Sequence, residues 1–271
     1  MKVLVLQNTV SKKVNENLRH IQSLIQDKVG NNYDFILLPE MFMTPYELKY
    51  FKINKQKPDS QVIDTLSKIA KNFNAYLIGG SIPEASGDKI YNTSYVFNRK
   101  GKIIAKYRKI HLFSVKYPDG RYFSESEVLS PGDQIVSFHT EFGRMGLMIC
   151  FDIRFPYLAS AIRKLDTKVI FVPAAFNTYT GPLHWHTTFK ARAIDNQMFF
   201  ISASPARDSF GTYEPYGHSL VVDPFGEIIQ ELNESESFME INIDLKRIKE
   251  ARESIPIIQN EKDISKYNVI K

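Results

Sequence analysis

The chain has 271 residues, of which 43% are hydrophobic and 24% charged, with a net charge of +5. This is an ordinary globular balance, with enough chain for one α/β domain and a substantial core. Its one cysteine, Cys150, excludes an intramolecular disulfide framework, a four-thiolate zinc site and a CxxC redox pair. The basic residues are scattered, with runs no longer than pairs such as Arg99-Lys100, so nucleic acid is not an expected partner. No stretch approaches the ~20 apolar residues of a membrane helix. The N-terminal apolar run is short and no small-residue cleavage site follows it. The expectation is a cytoplasmic enzyme or binding protein without a membrane partner.

Val3–Leu6 is a continuous apolar run and reads as a buried strand. Val14, Leu18, Ile21, Leu24 and Ile25 recur at helical spacing within residues 13–29. Phe35–Leu38 is a second strand, ended by Pro39. Val62, Leu66, Ile69, Ala70 and Phe73 mark a second helix, and Tyr76–Ser81 a third strand closed by glycines. The alternation of strand and helix argues a layered α/β fold. Thr93–Phe97 and Lys102–Tyr107 flank Asn98-Arg99-Lys100-Gly101 and read as a hairpin. A loop from Ile110 to about Asp133 follows, and a loop of that length is usually functional.

The second half repeats the outline. Strands are expected at Gly146–Cys150, Lys168–Val172 and Met198–Ala203, with helices at Tyr157–Leu165 and His184–Asn196 between them. Further strands are expected at Gly217–Val222, Glu227–Glu231 and Phe238–Ile243, then a charged helix over 244–253 and an irregular tail from Ser254. No linker separates the halves.

Three groups could carry chemistry, each at the end of an expected strand. Cys150 would sit at a strand-to-helix turn, where a helix N-terminus favours a thiolate. A lone cysteine is nonetheless more often an inert buried residue. Glu40 follows Leu37-Leu38-Pro39, and a desolvated carboxylate there would suit proton transfer; an exposed loop glutamate is the plain alternative. Lys109 follows Tyr107-Arg108 and could stabilise an oxyanion, or be a surface lysine. His111, between Ile110 and Leu112, fits a packed structural residue better than a base. His184 and His186 are two apart on an expected helix and point to different faces, so no metal-ligand cluster is read.

The three segments resemble the signatures of the nitrilase superfamily of carbon–nitrogen hydrolases. Leu38-Pro39-Glu40, Tyr107-Arg108-Lys109-Ile110-His111-Leu112-Phe113 and Ile149-Cys150-Phe151-Asp152-Ile153-Arg154-Phe155-Pro156 stand in the family's order. The similarity runs on through Gly181-Pro182-Leu183-His184-Trp185, Ala191–Gln197 and Tyr216-Gly217-His218-Ser219. Ala175-Phe176-Asn177, the Phe123–Ser126 segment leading to Leu129–Asp133, and Ser204-Pro205-Ala206-Arg207-Asp208 make the chain most similar to the ω-amidase branch.

The resemblance implies a single-domain, four-layer αββα sandwich over residues 1–245. It also implies a C-terminal helix and extended tail, 246–271, at a subunit interface, and a homodimer or higher homo-oligomer. It implies Cys150 as nucleophile, Glu40 as general base and Lys109 as oxyanion stabiliser, with the Phe151 backbone N–H as a second donor. Glu125 matches an additional acidic residue beside the lysine, with Glu127 its competitor if the match slips. Arg154 would hold the distal carboxylate of a small amide substrate, helped by Thr180 and the Phe176 backbone, with Tyr46 lining the pocket; pairing of Arg154 with Asp152 is the structural alternative. Asn177 and Arg207 are weaker candidates. No cofactor and no metal is implied. The implied reaction releases ammonia from 2-oxo dicarboxylate monoamides. Other readings are an amidase of deaminated glutathione or of N-carbamoyl compounds, and a non-catalytic scaffold on the same fold.

Overall fold

The computed structural model describes residues 1–266. In chain order the first half contains β1 (Lys2–Gln7), α1 (Val14–Ile25), β2 (Phe35–Leu37), α2 (Leu48–Ile53), α3 (Gln61–Phe73), β3 (Tyr76–Ile78), β4 (Ile82–Ser86), β5 (Lys89–Phe97) and β6 (Ile103–Arg108). A small hairpin, β7 (Ser114–Lys116) and β8 (Tyr122–Ser124), follows. The second half contains β9 (Ser137–Thr140), β10 (Gly143–Leu147), α4 (Pro156–Arg163), β11 (Thr167–Pro173), α5 (Gly181–Asn196), β12 (Phe199–Ala203), β13 (Leu220–Val222), β14 (Ile228–Glu231), β15 (Ser237–Asn242) and α6 (Lys246–Ser254).

Two sheets stack face to face. The first runs β15-β1-β2-β3-β5-β4, with β6 on the other edge of β5. The second runs β14-β13-β12-β11-β10-β9. Each has a parallel core of three strands, β1-β2-β3 and β10-β11-β12, linked by helical crossovers. Strand β15 returns from the second half to pair antiparallel with β1, closing the chain into one domain.

Side-chain alternation along the strands builds the layers. On β1, Val3 and Val5 enter the core shared by the two sheets, while Leu4 and Leu6 enter the core under the helices. That outer core holds Leu18, Ile21 and Ile25 of α1 and Val62, Leu66 and Ile69 of α3. Between the sheets Phe35 stacks on Phe171 with centroids 5.1 Å apart. Helices α4 and α5 cover the second sheet with Leu158, Ile162, Trp185 and Phe189. A strand buried on both faces carries no polar alternation, which is why these segments read as continuous apolar runs. The layer order is helix, sheet, sheet, helix, as expected. Helix α6 is held by Gln197, whose amide donates to the Ala251 and Ile255 carbonyls at 2.9 and 2.7 Å. The expected tail extends beyond the described residues from 267 onward.

Several expectations are corrected. The strand before the cysteine stops at Leu147, and Cys150 instead opens a short 3-10 turn, Cys150–Arg154. Helix α5 starts at Gly181 rather than His184, because a proline in the first turn costs no hydrogen bond. The segment 110–133 is not structureless. It holds β7, β8 and a 3-10 turn at Glu125–Glu127. Strands β4 and β9 and helix α2 were not anticipated.

Candidate active site

Three chain segments deliver charged groups to one end of the sandwich. Beyond β2, Leu38 and Pro39 carry the chain to Glu40. The Pro39 carbonyl accepts from Ser81 N–H at 3.1 Å, and Ser81 Oγ accepts from Met41 N–H at 3.1 Å. This clasp needs Gly80, whose φ is +57° and where a Cβ would lie 2.2 Å from the Pro39 oxygen. Lys109 follows β6 directly, and its N–H donates to the Asn92 carbonyl at 2.9 Å.

Cys150 sits at φ +46°, a left-handed backbone for a non-glycine residue. Buried Asp152 holds that turn in place. Its Oδ2 accepts from Ile149 N–H (3.0 Å) and the Tyr107 hydroxyl (2.7 Å), and its Oδ1 from His111 N–H (2.9 Å). The turn that bears the thiol is thus tied to the segment that bears Lys109.

The side chains converge. Lys109 Nζ lies 2.8 Å from Glu40 Oε1 and 2.9 Å from Glu125 Oε2. Asn92 donates to Glu40 Oε1 at 2.7 Å, and the Tyr46 hydroxyl donates to Glu125 Oε1 at 2.7 Å. Phe113 N–H donates to Glu125 Oε2 at 2.6 Å. Glu40, Lys109 and Glu125 are wholly buried. Glu40 Oε2 is buried with no hydrogen-bond partner among the described residues, and the Cys150 thiol is near enough for Glu40 to shift its proton affinity. Ala175 N–H reaches Cys150 Sγ at 3.5 Å.

Burial dominates the electrostatics. It pushes Glu40 above the ordinary carboxylate range, opposed by Lys109 and reinforced by Glu125. Burial alone would lower the Lys109 pKa, but the Glu125 and Glu40 carboxylates outweigh it and hold an ammonium. The Cys150 thiol is pushed well up by burial and by the Glu40 charge, against the pull of Lys109. The resting thiol is therefore protonated, and its neighbour is a carboxylate of raised proton affinity. Such a pair can pass one proton, and the buried ammonium supplies fixed positive charge where an oxyanion would form.

Beside the thiol is a narrow pocket, too tight to admit a water molecule, lined by Phe113, Cys150, Phe151, Arg154, Phe176, Thr180 and neighbours. Arg154 stacks over the Phe176 ring at 4.5 Å, and its Nη1 lies 2.6 Å from His184 Nδ1. Its Nε is buried with no partner. No acid pairs with it among the described residues, Asp152 being engaged elsewhere. Tyr46 and Tyr213 stack at 4.5 Å. They also line an outer cleft of about 620 Å³ that carries Asp119, Arg121 and Tyr179.

The structure therefore brings Glu40, Lys109, Cys150 and Glu125 together, and Glu125 rather than exposed Glu127 is the buried one. Tyr46 lines the outer cleft, and its hydroxyl is also bonded inside the charge network. Phe151, Arg154, Phe176 and Thr180 line the cavity, but the Thr180 hydroxyl is engaged by Asn177 Oδ1 at 2.9 Å. Arg207 instead contacts the Tyr216 carbonyl. Asn92, Tyr213 and Asp152 were not anticipated as part of the site. An asparagine inside a strand is disfavoured and could have signalled Asn92; Tyr213 sits in an irregular segment that gives no signal.

The model of the carbon-nitrogen hydrolase family matches residues 3–253. A hydrolase of Schizosaccharomyces pombe is 45% identical over 93% of this chain and 78% of its own length. Omega-amidase NIT2 of Xenopus tropicalis is 42% identical over 93% and 92%. The crystal structure of Saccharomyces cerevisiae Nit3, a member of branch 10 of the nitrilase superfamily, aligns at a TM-score of 0.87 with 37% identity, covering 96% of each chain. A match of that extent, on a sandwich with this buried cluster, makes the chain a member of the carbon–nitrogen hydrolase family.

Proposed function

We propose that this protein is an ω-amidase. It hydrolyses the terminal amide of small 2-oxo dicarboxylate monoamides such as α-ketoglutaramate and α-ketosuccinamate. The observation that carries the reading is the pocket at Cys150, whose lining brings together the thiol, which neighbours the buried Glu40–Lys109 pair, and the Arg154 guanidinium. Relatives named omega-amidase, at 40–42% identity over more than nine-tenths of both chains, support the same substrate class.

In this reading Glu40 takes the thiol proton as Cys150 Sγ bonds to the amide carbon, and the carbonyl π electrons move to oxygen. Lys109 and the Phe151 N–H stabilise that oxyanion. Glu40 returns the proton to the amide nitrogen, the C–N bond breaks and ammonia leaves. Water then attacks the thioester with Glu40 as base, and collapse expels the thiolate, which recovers the proton. Glu125, Asn92 and Tyr46 hold Glu40 and Lys109 in register. Arg154 forks the distal carboxylate, with its aromatic and His184 contacts fixing the guanidinium plane. The outer cleft favours one second reading, longer amides such as deaminated glutathione.

The reading includes a homodimer. Its support is the apolar surface on neighbouring helices, where Tyr157 of α4 is 83% and Leu183 of α5 58% exposed. The exposed Ile255 and Ile257 beyond α6 support an interface role for the C-terminal segment from residue 246. It also includes a cytoplasmic location, since a thiol nucleophile without a second cysteine has nothing in the chain to rescue it from oxidation. No helix of the described residues is long and apolar enough to cross a membrane.

The test is ammonia release from a panel of α-ketoglutaramate, deaminated glutathione and N-carbamoyl amino acids. Turnover highest on α-ketoglutaramate, and lost in Arg154→Met chiefly through KM, is expected. Preference for another amide would overturn the substrate class, and absence of turnover on every amide would favour a scaffold.

A further inference from the structure

Away from the cysteine cavity, His186, His218 and Glu231 meet at the edge of the second sheet. They come from α5, from the segment entering β13 and from strand β14. His186 Nε2 lies 2.7 Å, and His218 Nδ1 2.9 Å, from one oxygen, Glu231 Oε1. One donor atom from each residue falls within 4.8 Å of the others. Their side chains are 35%, 22% and 27% exposed, so each is partly shielded yet open to solvent. None lines the cysteine cavity or the outer cleft.

The rings are held before any ion arrives. His218 adopts φ +58°, a left-handed conformation that a residue with a Cβ rarely takes. Both of its backbone polar groups are pinned: the buried Trp185 indole donates to its carbonyl at 2.8 Å, and its N–H donates to the Asn233 carbonyl at 3.1 Å. Its ring stacks on Tyr216, with centroids 4.2 Å apart. Trp185 also precedes His186 on α5, so one buried indole anchors the backbone of both imidazole-bearing segments. Strained backbone held on both sides, in order to aim a side chain, is a mark of a functional site.

Two imidazole nitrogens directed at a single carboxylate oxygen each need a proton on the facing nitrogen. A cation would replace both protons and accept a lone pair from all three groups. Two imidazoles and a carboxylate form the donor set of zinc-class ions, with an open position for water, whereas calcium and magnesium favour all-oxygen sets. Helix spacing hides the group, because the partners of His186 come from other elements and not from His184.

We propose that His186, His218 and Glu231 form a three-ligand site for a divalent transition-metal ion of the zinc class, a clip joining α5 to the β13–β14 edge. The proposal is independent of the amidase reading. Its test uses Co²⁺ with the 271-residue Cys150→Ala chain, in which no thiol competes. Expected are d–d absorption bands saturating at one ion per chain, and a melting temperature raised by roughly 5 °C at about 100-fold excess over Kd. Glu231→Gln and His218→Asn, the latter chosen because asparagine tolerates the left-handed backbone, should abolish both signals while remaining folded in the absence of metal. His139→Gln should leave both signals unchanged. Absence of bands and of any melting shift with the Cys150→Ala protein overturns the proposal. So does Co²⁺ binding that survives both ligand substitutions.

Discussion

Two buried glutamates flank the same pair of strands and have opposite characters. Glu84, on β4, has both oxygens occupied: Thr93 Oγ1 donates at 2.7 Å, Arg108 Nε at 2.9 Å and Lys106 Nζ at 3.2 Å. Burial would raise its pKa, but Arg108, Thr93 and Lys106 more than offset this and hold it at about 2. Glu40 is as deeply buried, yet it shares its one cation with Glu125 and its Oε2 has no hydrogen-bond partner among the described residues, so burial prevails and its pKa moves up. The residues that make the difference are neighbours. Asn92 and Thr93 are consecutive on β5, Arg108 and Lys109 consecutive at the end of β6, and Thr93 pairs with Arg108 across the ladder. Successive side chains leave a strand on opposite faces. One face therefore receives a saturated ion cluster, and the other an unsaturated one. Full satisfaction lowers a carboxylate's pKa; a withheld partner lets burial raise it.

The comparison can be broken or sharpened in five ways, from the largest expected effect to the smallest. Cys150→Ala removes the proposed nucleophile and should lower kcat by about 10⁴-fold or more, read as ammonia release. Lys109→Met leaves two buried carboxylates facing each other without a cation. It should cost about 3–5 kcal/mol in urea unfolding as well as activity, because breaking a buried pair exposes the remaining charge to the low dielectric. Glu40→Gln should lower kcat by about 10²–10⁴-fold, the usual worth of a general base, with KM little changed. Glu84→Gln should do the converse. It should cost about 2 kcal/mol, between the values for exposed and buried pairs, with kcat kept. A large loss of kcat without destabilisation in Glu84→Gln would break the contrast.

The fifth is pH. Glu40 must be ionised to accept a proton, so kcat/KM should fall on acidification through a pKa above the ordinary 4.5. Glu84 has a depressed pKa, so its contribution to stability is fully present above about 4.5 and is lost as pH falls towards about 2. Activity should thus decline at a higher pH than the Glu84-dependent part of stability. The stability gap between the parent and Glu84→Gln should close only in the lower window.

Much of this was legible in the sequence wherever burial writes itself as apolar runs. The strands before Glu40 and Cys150 are such runs, and the motif around each residue placed it at a strand end. Strand β4 was not legible, because Pro83 and Glu84 interrupt any apolar pattern and the glutamate is buried only by courtesy of Arg108 and Lys106. Asn92 belongs to the site through the register of β5 against β6, and register is a property of pairing that one strand alone does not carry. The 110–133 segment reads as a loop because a two-stranded hairpin this short has no buried periodic face. The resemblance names Glu125 ahead of Glu127, but spacing alone does not separate them; the 3-10 turn buries the first and exposes the second.

The left-handed backbone at Cys150 limits what chemistry the position can ever host. Serine and alanine can occupy φ +46° at modest cost, so an oxygen nucleophile is one substitution away in conformational terms. Threonine is not, because a β-branched residue at positive φ is a severe outlier. Cys150→Thr should therefore lose about 1–3 kcal/mol more stability than Cys150→Ser, although both supply a hydroxyl. Natural variation or directed evolution at this elbow is steered by backbone shape before any question of reactivity arises.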